Sequence, residues 1–306
     1  MEIQEKFNFG GWKNCIHMTD GAIEIVITTD IGPRVVRFGF VGDDNIFGEM
    51  KEQQGKKGGD KWLIYGGHRF WHSPESYPRT IYPDNSPVQY NWDGETLKLI
   101  QDIEKTTGIQ KEMEISLVLD SSSVRVLHRI INHNLWEIEA APWALSVMAK
   151  GGRAIIPHES YQPHGKKLTP VRPLVLWSYT EMKDPRWIWG NRFIQLKQDP
   201  GARGSQKIGV LNTLGWIAYY LDGKVFIKRY NYDPESKYPD FGSNTEVYTD
   251  KDIIEIETLG SLERISPNDS VEHIETWFLF KENLGEDEES LENKLIPLVK
   301  KTDNNF

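Results

Sequence analysis

The segment that decides the fold is Trp216–Tyr230, with the sequence WIAYYLDGKVFIKRY. Two runs rich in β-branched and aromatic residues, Trp216–Leu221 and Lys224–Tyr230, flank the dipeptide Asp222-Gly223. Asp-Gly between two such runs is typical of a two-residue hairpin, because these residues tolerate the positive φ angles that the turn requires. The segment therefore predicts a pair of antiparallel strands.

Strand patterns of the same kind recur on both sides of this hairpin. They are Ala22–Thr29, Arg34–Phe40, Thr96–Ile103, Lys111–Leu119, Ser123–Ile131, Trp143–Ala149, Asp252–Thr258 and Val271–Phe280. One helix is predicted, over Glu286–Ile296, with Leu291 and Leu295 four apart and Pro297 expected to end or kink it. Many strands with one late helix predict an all-β fold, a large antiparallel sandwich with a short C-terminal helix. Because no linker or repeat interrupts it, we expect a single domain over residues 1–306.

Composition excludes several classes of function. The formal net charge of −9 argues against a nucleic-acid partner, which usually requires a basic face. No apolar run approaches the roughly 18–20 residues of a membrane span. The N-terminus, MEIQEKFNFGGWK, lacks the zones of a secretory signal. The single cysteine, Cys15, excludes an intrachain disulfide and predicts a cytoplasmic location.

The chain is rich in aromatic residues, with 11 Trp and 12 Tyr. Aromatic faces can stack on the C–H faces of sugar rings, although filling a large core is the favoured role for most of these residues. No phosphate-binding loop, dinucleotide fingerprint or nucleophile elbow is present, so no cofactor is predicted.

The densest polar cluster is GGHRFWHSPE, residues 66–75. We interpret it as a loop that lines a ligand site, with His68, Arg69, Trp71 and His72 as its polar and aromatic groups. A structural turn is the alternative. A metal pair of His68 and His72 would need a helix, which Pro74 and the glycine pair disfavour, so no metal is predicted.

Two further segments carry titratable groups. His133, in Asn132-His133-Asn134 after a predicted strand, is either a general acid or a hydrogen-bonded structural residue. Glu255 and Glu257 share one face of their strand, as either solvated surface or the acidic floor of a groove. From that segment alone, solvated surface is favoured.

Other charged candidates stand in predicted loops or grooves. Among the basic residues these are Arg34, Lys150, Arg153 and Lys228, and Asp240 supplies an acid in the turn YPDFG.

Three stretches resemble the galactose mutarotase (aldose 1-epimerase) superfamily. Asn132-His133 is similar to the Asn-His segment of that superfamily. Glu257-Thr258, together with Ile265-Ser266-Pro267, resembles its catalytic-Glu strand and the turn after it. Residues 31–36, IGPRVV, resemble its early Gly-x-Arg strand. Residues 67–75, 141–145 and 257–260 resemble an uncharacterised branch of that superfamily. Gly-Gly-His-Arg-Phe-Trp stands where mutarotases carry His-Gly-Gly, which is a departure from the pattern.

The resemblance implies a β-supersandwich that binds a sugar. It also implies roles for several of the residues named above. Glu257 would be the base and His133, or His68 or His72, the acid that opens the sugar ring. The implied substrate-binding residues are Arg34, His68, Arg69, Trp71, His72, Lys228 and Asp240. A non-catalytic sugar-binding protein and a lyase or hydrolase that uses the same groove are the alternatives. We expect the cluster at residues 68–75 to meet Glu257 in space, with His133 and Lys228 nearby.

Overall fold

Two antiparallel sheets form the framework of the protein, in a computed structural model that describes residues 1–303. The first sheet has 11 strands, in the order β1-β2-β3-β4-β5-β10-β19-β18-β15-β12, with β20 paired to β10. Its strands are β1 (Glu2–Phe9), β2 (Trp12–Thr19), β3 (Ile23–Thr28), β4 (Arg34–Phe40), β5 (His68–Ser73), β10 (Ile138–Met148), β12 (Leu174–Leu176), β15 (Gln206–Val210), β18 (Thr245–Thr249), β19 (Ile254–Leu259) and β20 (Glu263–Ile265).

The second sheet has 10 strands, in the order β13-β14-β11-β16-β17-β21-β9-β8-β7-β6. Its strands are β6 (Gln89–Trp92), β7 (Thr96–Ile100), β8 (Ile109–Val118), β9 (Ser123–Asn132), β11 (Arg153–Pro157), β13 (Trp187–Trp189), β14 (Phe193–Lys197), β16 (Trp216–Leu221), β17 (Lys224–Tyr230) and β21 (Ser270–Lys281). A short 3₁₀ turn, Leu119–Ser121, joins β8 to β9. The predicted hairpin is confirmed with its bounds, because β16 and β17 pair across Asp222-Gly223.

The core lies between the inner faces of the two sheets. Phe38 of the first sheet packs edge-on against Phe226 of the second, with 5.9 Å between ring centroids, and Trp277 lies 6.0 Å from Phe38. All three side chains are fully buried, and each such burial stabilises the fold by about 1.5–3 kcal/mol. The prediction of an antiparallel sandwich is therefore confirmed.

The prediction of a loop over residues 66–75 is wrong for its central part. Residues 68–73 form β5, between β4 and β10. Every residue of β5 is buried, including two histidines and an arginine. Because both faces of this strand are covered, it lacks the alternation of apolar and polar residues that marks a half-exposed strand.

The C-terminal helical segment runs further than predicted. It consists of α2 (Glu288–Ser290), a π-helical turn (Leu291–Leu295) and α3 (Ile296–Thr302). Asp287 begins it, because its side chain accepts a hydrogen bond from the Ser290 amide. Pro297 does not end the segment, since it lies in the first turn of α3, where the missing N–H is tolerated. No helix in residues 1–303 is long and apolar enough to cross a membrane.

Candidate functional site

The outer face of the first sheet, turned away from the second sheet, carries a row of charged residues. Cross-strand pairing aligns Arg69 with Leu145, Leu145 with Glu257, and Glu257 with Glu246, across β5, β10, β19 and β18. Neighbouring residues on a strand point to opposite faces, so Phe70 and the other alternate residues enter the core. Arg69 and Glu257 therefore lie on one face of the first sheet.

Three ion pairs organise these charges. The Lys207 Nζ atom lies 2.7 Å from Oε2 of Glu246 and 3.0 Å from Oε2 of Glu257. Nη1 of Arg69 lies 3.2 Å from Oε1 of Glu255. All five side chains are buried, so the interpretation of Glu255 and Glu257 as solvated surface is wrong. The acids form the floor of a polar site that aromatic side chains cover.

Tryptophans form the walls around the two cations. The Arg69 guanidinium lies 4.3 Å from the ring centroid of Trp71 and 5.3 Å from that of Trp62. Nζ of Lys207 lies 4.6 Å from the ring centroid of Trp143, whose indole N–H donates to Oε2 of Glu257 at 2.8 Å. Trp177 provides a further wall, with its ring centroid 4.8 Å from the same ammonium. The charges therefore lie in an aromatic enclosure, which strengthens their interactions.

A tight turn closes one side of this site. The short helical turn α1 (Pro239–Gly242) places Asp240 and Phe241 at φ angles of 49° and 59°. This left-handed conformation is uncommon for residues other than glycine and is a mark of functional turns. The hydroxyl of Ser73 donates to Oδ2 of Asp240 at 3.4 Å, while Phe241 is 96% exposed. The turn thus joins Asp240 to the end of β5 and presents an aromatic ring to solvent.

Burial changes the acidity of the carboxyl groups. Burial raises the pKa of Glu246 well above its ordinary value, and the negative charges of Glu257 and Asp240 raise it further. The positive charge of Lys207 lowers this pKa but does not cancel the rise. Burial also raises the pKa of Glu255, against the attraction of Arg69. A carboxyl in this state keeps its proton to a higher pH and can donate it to a ligand.

Several polar atoms of this site have no protein partner. Within residues 1–303, the buried atoms without a hydrogen bond include Oε1 of Glu246, Oε1 of Glu257, Nε of Arg69 and Nε1 of Trp71. Buried polar groups are nearly always paired, so these four atoms have hydrogen-bonding capacity that water or a polar ligand would satisfy. We call Arg69, Lys207, Glu246, Glu255 and Glu257, with their tryptophan walls and Asp240, the outer site.

Two predicted ligand residues lie inside the sandwich instead. His68 and Lys228 are fully buried between the sheets. Nζ of Lys228 lies 2.9 Å from Oε1 of Glu275, and Nε2 of His68 lies 2.7 Å from Nε2 of His128. Together with Thr258, His273 and Trp277 they form the interior network. His68 points away from its neighbour Arg69 because adjacent residues of a strand face opposite sides.

A metal site inside this network is geometrically conceivable. Ligand atoms of His68, His128 and Glu275 lie within 4.8 Å of one another. However, both oxygens of Glu275 already accept hydrogen bonds, from Thr258 and from Trp277 at 2.7 Å, and the Lys228 ammonium adds a positive charge beside them. The donor set therefore favours a closed network of hydrogen bonds over a second cation.

The remaining predicted residues have other surroundings. Arg34 is buried, pairs with Asp84 at 2.7 Å and donates to the carbonyl groups of Ile64 and Gly66, so it anchors the loop before β5. His72 faces the interior, and burial lowers its pKa to about 3. His133 is exposed at the end of β9 in the second sheet, with Nε2 3.0 Å from Oε1 of Gln110. The structure does not bring His133 to Glu257.

Sequence reasoning missed Lys207 and Glu246. They lie on β15 and β18, two short strands that were not predicted. A period-2 pattern in TEVYT, residues 245–249, was the available signal for β18. Nothing in the sequence marked Lys207, because its role depends on which strands are neighbours.

Comparisons with known proteins agree on the fold. No protein-family model and no curated protein matches the sequence. Solved structures do match, among them a TPR-domain containing protein from Parabacteroides distasonis (TM-score 0.59, 13% identity, 89% of this chain and 48% of that chain). Thus the chain spans about half the length of that protein.

In two other matches, the aligned region covers the whole of the matched chain. A galactose mutarotase-like protein from Lactobacillus casei matches with TM-score 0.58, at 9% identity, over 87% of this chain and 100% of that chain. A galactose mutarotase related enzyme from Lactobacillus acidophilus matches with TM-score 0.50, at 10% identity, over 88% and 100%. The protein has the galactose mutarotase-like fold, and at such identities the likeness concerns the fold alone.

Proposed function

We propose that the protein binds a sugar in the outer site and interconverts its anomers by acid–base catalysis. The observation that carries the proposal is the pair Glu246 and Glu257. They are directly opposite on neighbouring strands, share Lys207, and each has a buried oxygen without a partner. Burial, with the repulsion of Glu257, raises the pKa of Glu246, so Glu246 would serve as the acid and Glu257 as the base beside it.

The chemistry of anomer exchange suits an adjacent acid and base. Glu257 would take the proton of the anomeric hydroxyl while Glu246 gives its proton to the ring oxygen. The bond from the anomeric carbon to the ring oxygen breaks and a carbonyl group forms. After rotation about the next carbon–carbon bond, Glu246 takes its proton back and Glu257 returns the other. Both oxygens are bonded to one carbon, so neighbouring carboxyl groups can reach both.

Charge favours an uncharged sugar over a phosphate or a uronate. The outer site and its rim contain the carboxyl groups of Glu75, Asp240, Glu246, Glu255 and Glu257, whereas both cations are already paired with carboxylates. An anionic substituent would therefore meet unfavourable charge. The free Nε of Arg69 and Nε1 of Trp71 can donate to sugar hydroxyls.

Entry to the carboxyl pair requires movement of its cover. Glu246 is fully buried and Glu257 is 1% exposed. Trp177 and Tyr179, in the segment that follows β12, form one cover, and the Asp240 turn forms another. Both covers are short irregular segments, the kind that moves most readily in β proteins. A sugar would therefore enter by displacing one of them.

The test is polarimetry or NMR of freshly dissolved α-sugars with wild type, Glu257→Gln and Glu246→Gln. Wild type should accelerate equilibration, and each substitution should slow it by about 10²–10⁴-fold, the usual contribution of one acid or base. Glu246→Gln should slow it more than His133→Ala does. The matched control is Glu95→Gln, at an exposed glutamate in the turn between β6 and β7.

Each other outcome has a definite meaning. Binding without acceleration would replace catalysis with non-catalytic sugar binding. Full activity in Glu257→Gln would contradict the assignment of the base. Hydrolysis of glycosides by the wild type would point to a hydrolase, which uses two carboxyl groups differently.

A cytoplasmic location is proposed with this function. The single cysteine, Cys15, is free and buried, which suits a reducing compartment. Cell fractionation with an antibody to the protein tests it, and recovery outside the cytoplasm would contradict it.

A further inference from the structure

A large cleft opens beside the outer site. It has a volume of about 950 Å³, and its walls come from residues 59–62, 77–87 and 101–107. We call it the side cleft. Clefts of roughly 300–1,000 Å³ are typical of binding sites for small molecules.

The side cleft and the outer site share a wall. Trp62 and Ile81 line the cleft, and both pack against the cluster of Trp71 and Trp143 under the outer site. The ring of Trp62 also faces the Arg69 guanidinium. A ligand that fills both spaces would therefore pass along Trp62.

The lining of the side cleft suits a carbohydrate. Tyr77 is 82% exposed and Tyr82 lies on the same loop, so aromatic faces are available for stacking on a sugar ring. Gln101 is only 7% exposed, and its Oε1 atom has no hydrogen-bond partner within residues 1–303. A buried acceptor without a donor is the group that a sugar hydroxyl would satisfy.

Charges along the cleft nearly balance. Its lining includes the basic residues Lys61, Arg79 and Lys105 and the acidic residues Asp60, Asp84 and Asp102. Asp84 is neutralised by Arg34, at 2.7 Å. No strong field therefore selects a charged ligand, which agrees with the uncharged sugar favoured in the outer site.

We propose that the side cleft binds a second sugar unit, so that the ligand is an oligosaccharide with its reducing end in the outer site. The inference rests on the proposed sugar binding of the outer site. Trp62 would contact both units, Tyr77 would stack on the second one, and Gln101 would accept a hydrogen bond from one of its hydroxyls.

Isothermal titration tests this with glucose, maltose, maltotriose, cellobiose and lactose. At least one disaccharide should bind wild type about tenfold or more tightly than glucose does. Tyr77→Ala should weaken disaccharide binding roughly two- to twelvefold and leave glucose binding as it was, because one aromatic contact has that value. Gln101→Leu should weaken disaccharide binding by a similar factor, because it removes one hydrogen bond to the second sugar unit.

The matched control is Tyr161→Ala, at a tyrosine that is also largely exposed (69%) but lies in another loop. Equal affinity for glucose and for every longer sugar would overturn the proposal, as would no binding of any of them. It would also be overturned if Tyr77→Ala weakened glucose and disaccharide binding alike.

The two proposals fail in different ways. Anomer exchange of glucose without any gain from a longer sugar would leave the proposed function in place and overturn the side cleft. Tighter binding of longer sugars without anomer exchange would overturn the proposed catalysis and leave the side cleft as a sugar-binding site. A thermal unfolding scan of each variant identifies any that is unfolded, and Tyr77, being exposed, can be replaced without loss of packing.

Discussion

Replacing Lys228 by Met should cost the protein about 3–5 kcal/mol of its free energy of unfolding at pH 7.5. The Lys228 ammonium lies 2.9 Å from a Glu275 oxygen, and both side chains are fully buried. Two unit charges at that distance attract by about 6 kcal/mol at an effective dielectric constant of roughly 20. Methionine avoids the desolvation cost of the lysine, but it leaves a buried carboxyl without its counter-charge, and that loss is typically about 3–5 kcal/mol.

The loss should depend on pH with a definite sign. Burial alone would raise the pKa of Glu275, but the attraction of Lys228, His128 and His273 and the hydrogen bond from Thr258 together outweigh it and hold that pKa below its ordinary value. In wild type, Glu275 therefore contributes stability that is present above the unfolded pKa of about 4.3 and is lost as the pH falls through the lower folded pKa. Without Lys228, burial dominates and the carboxyl protonates at a higher pH. The difference between wild type and Lys228→Met should therefore shrink as the pH falls from 7.5 to 5.

Urea unfolding followed by circular dichroism measures both effects, with the m-value as a check that the same surface is exposed. The matched control is Lys281→Met, which breaks an ion pair of the same length, 2.9 Å to Asp43, at a side chain that is 64% exposed. It should cost no more than about 1 kcal/mol. The double variant Lys228→Met/Glu275→Gln should recover most of the loss, since no buried charge remains. A loss below about 1 kcal/mol in Lys228→Met, or a double variant as unstable as the single one, would refute the closed interior network.

Three other outcomes are expected. Cys15 should resist thiol reagents at pH 8 in the folded protein and react fully in urea, because burial raises its pKa to about 11; a mass-spectrometric time course measures this. His133→Ala should change the free energy of unfolding by no more than about 0.5 kcal/mol in urea titrations, because the side chain is exposed and has one side-chain partner, Gln110. If Glu246 is the acid, anomer exchange should fall as the pH rises through its raised pKa, and the pH–rate profile of Glu246→Gln should lack that limb.

Composition and turn signals predicted the strands that are built from aliphatic and aromatic residues. β16 and β17 appear with their predicted bounds, and so does β4, because their residues include β-branched and aromatic side chains next to clear turn signals. They did not predict β5. This strand is covered on both faces by groups other than aliphatic side chains, with imidazoles inside and an arginine between tryptophans outside. Such a strand has the composition of a binding loop, and only its neighbours β4 and β10 identify it as sheet.

The C-terminal helix shows a similar limit. The Leu291–Leu295 spacing predicted its buried face correctly, and the acidic residues placed its start at Glu286, two residues before α2 begins at Glu288. They could not predict that a π-helical turn would precede Pro297 and let the segment continue to Thr302. Proline stops a helix through its missing N–H and its ring, and both are tolerated in the first turn of a new α segment.

The sequence could predict which residues of the outer site lie together only where those residues belong to one strand. Glu255 and Glu257 are two residues apart, so their shared face follows from the period of a strand, whereas the shared face of Arg69 and Trp71 emerges only once residues 68–73 are known to form β5. The link between these pairs requires the order β5-β10-β19-β18-β15, which joins residues far apart in the chain. Lys207 belongs to the last of these strands, and its pairing with Glu246 and Glu257 is a property of that order alone.

Strand geometry also determines which acid can work with Glu257. A partner must project from the same face of the first sheet, and His68 fails because it is adjacent in sequence to Arg69 and so points inside. His133 fails because it belongs to the end of a strand in the other sheet. Glu246 meets the requirement, since it lies directly opposite Glu257 and burial raises its pKa. In the proposed mechanism, a carboxyl pair on this sheet would take the place of a histidine and a glutamate, and the distribution of one proton between its two members would set the pH range of catalysis.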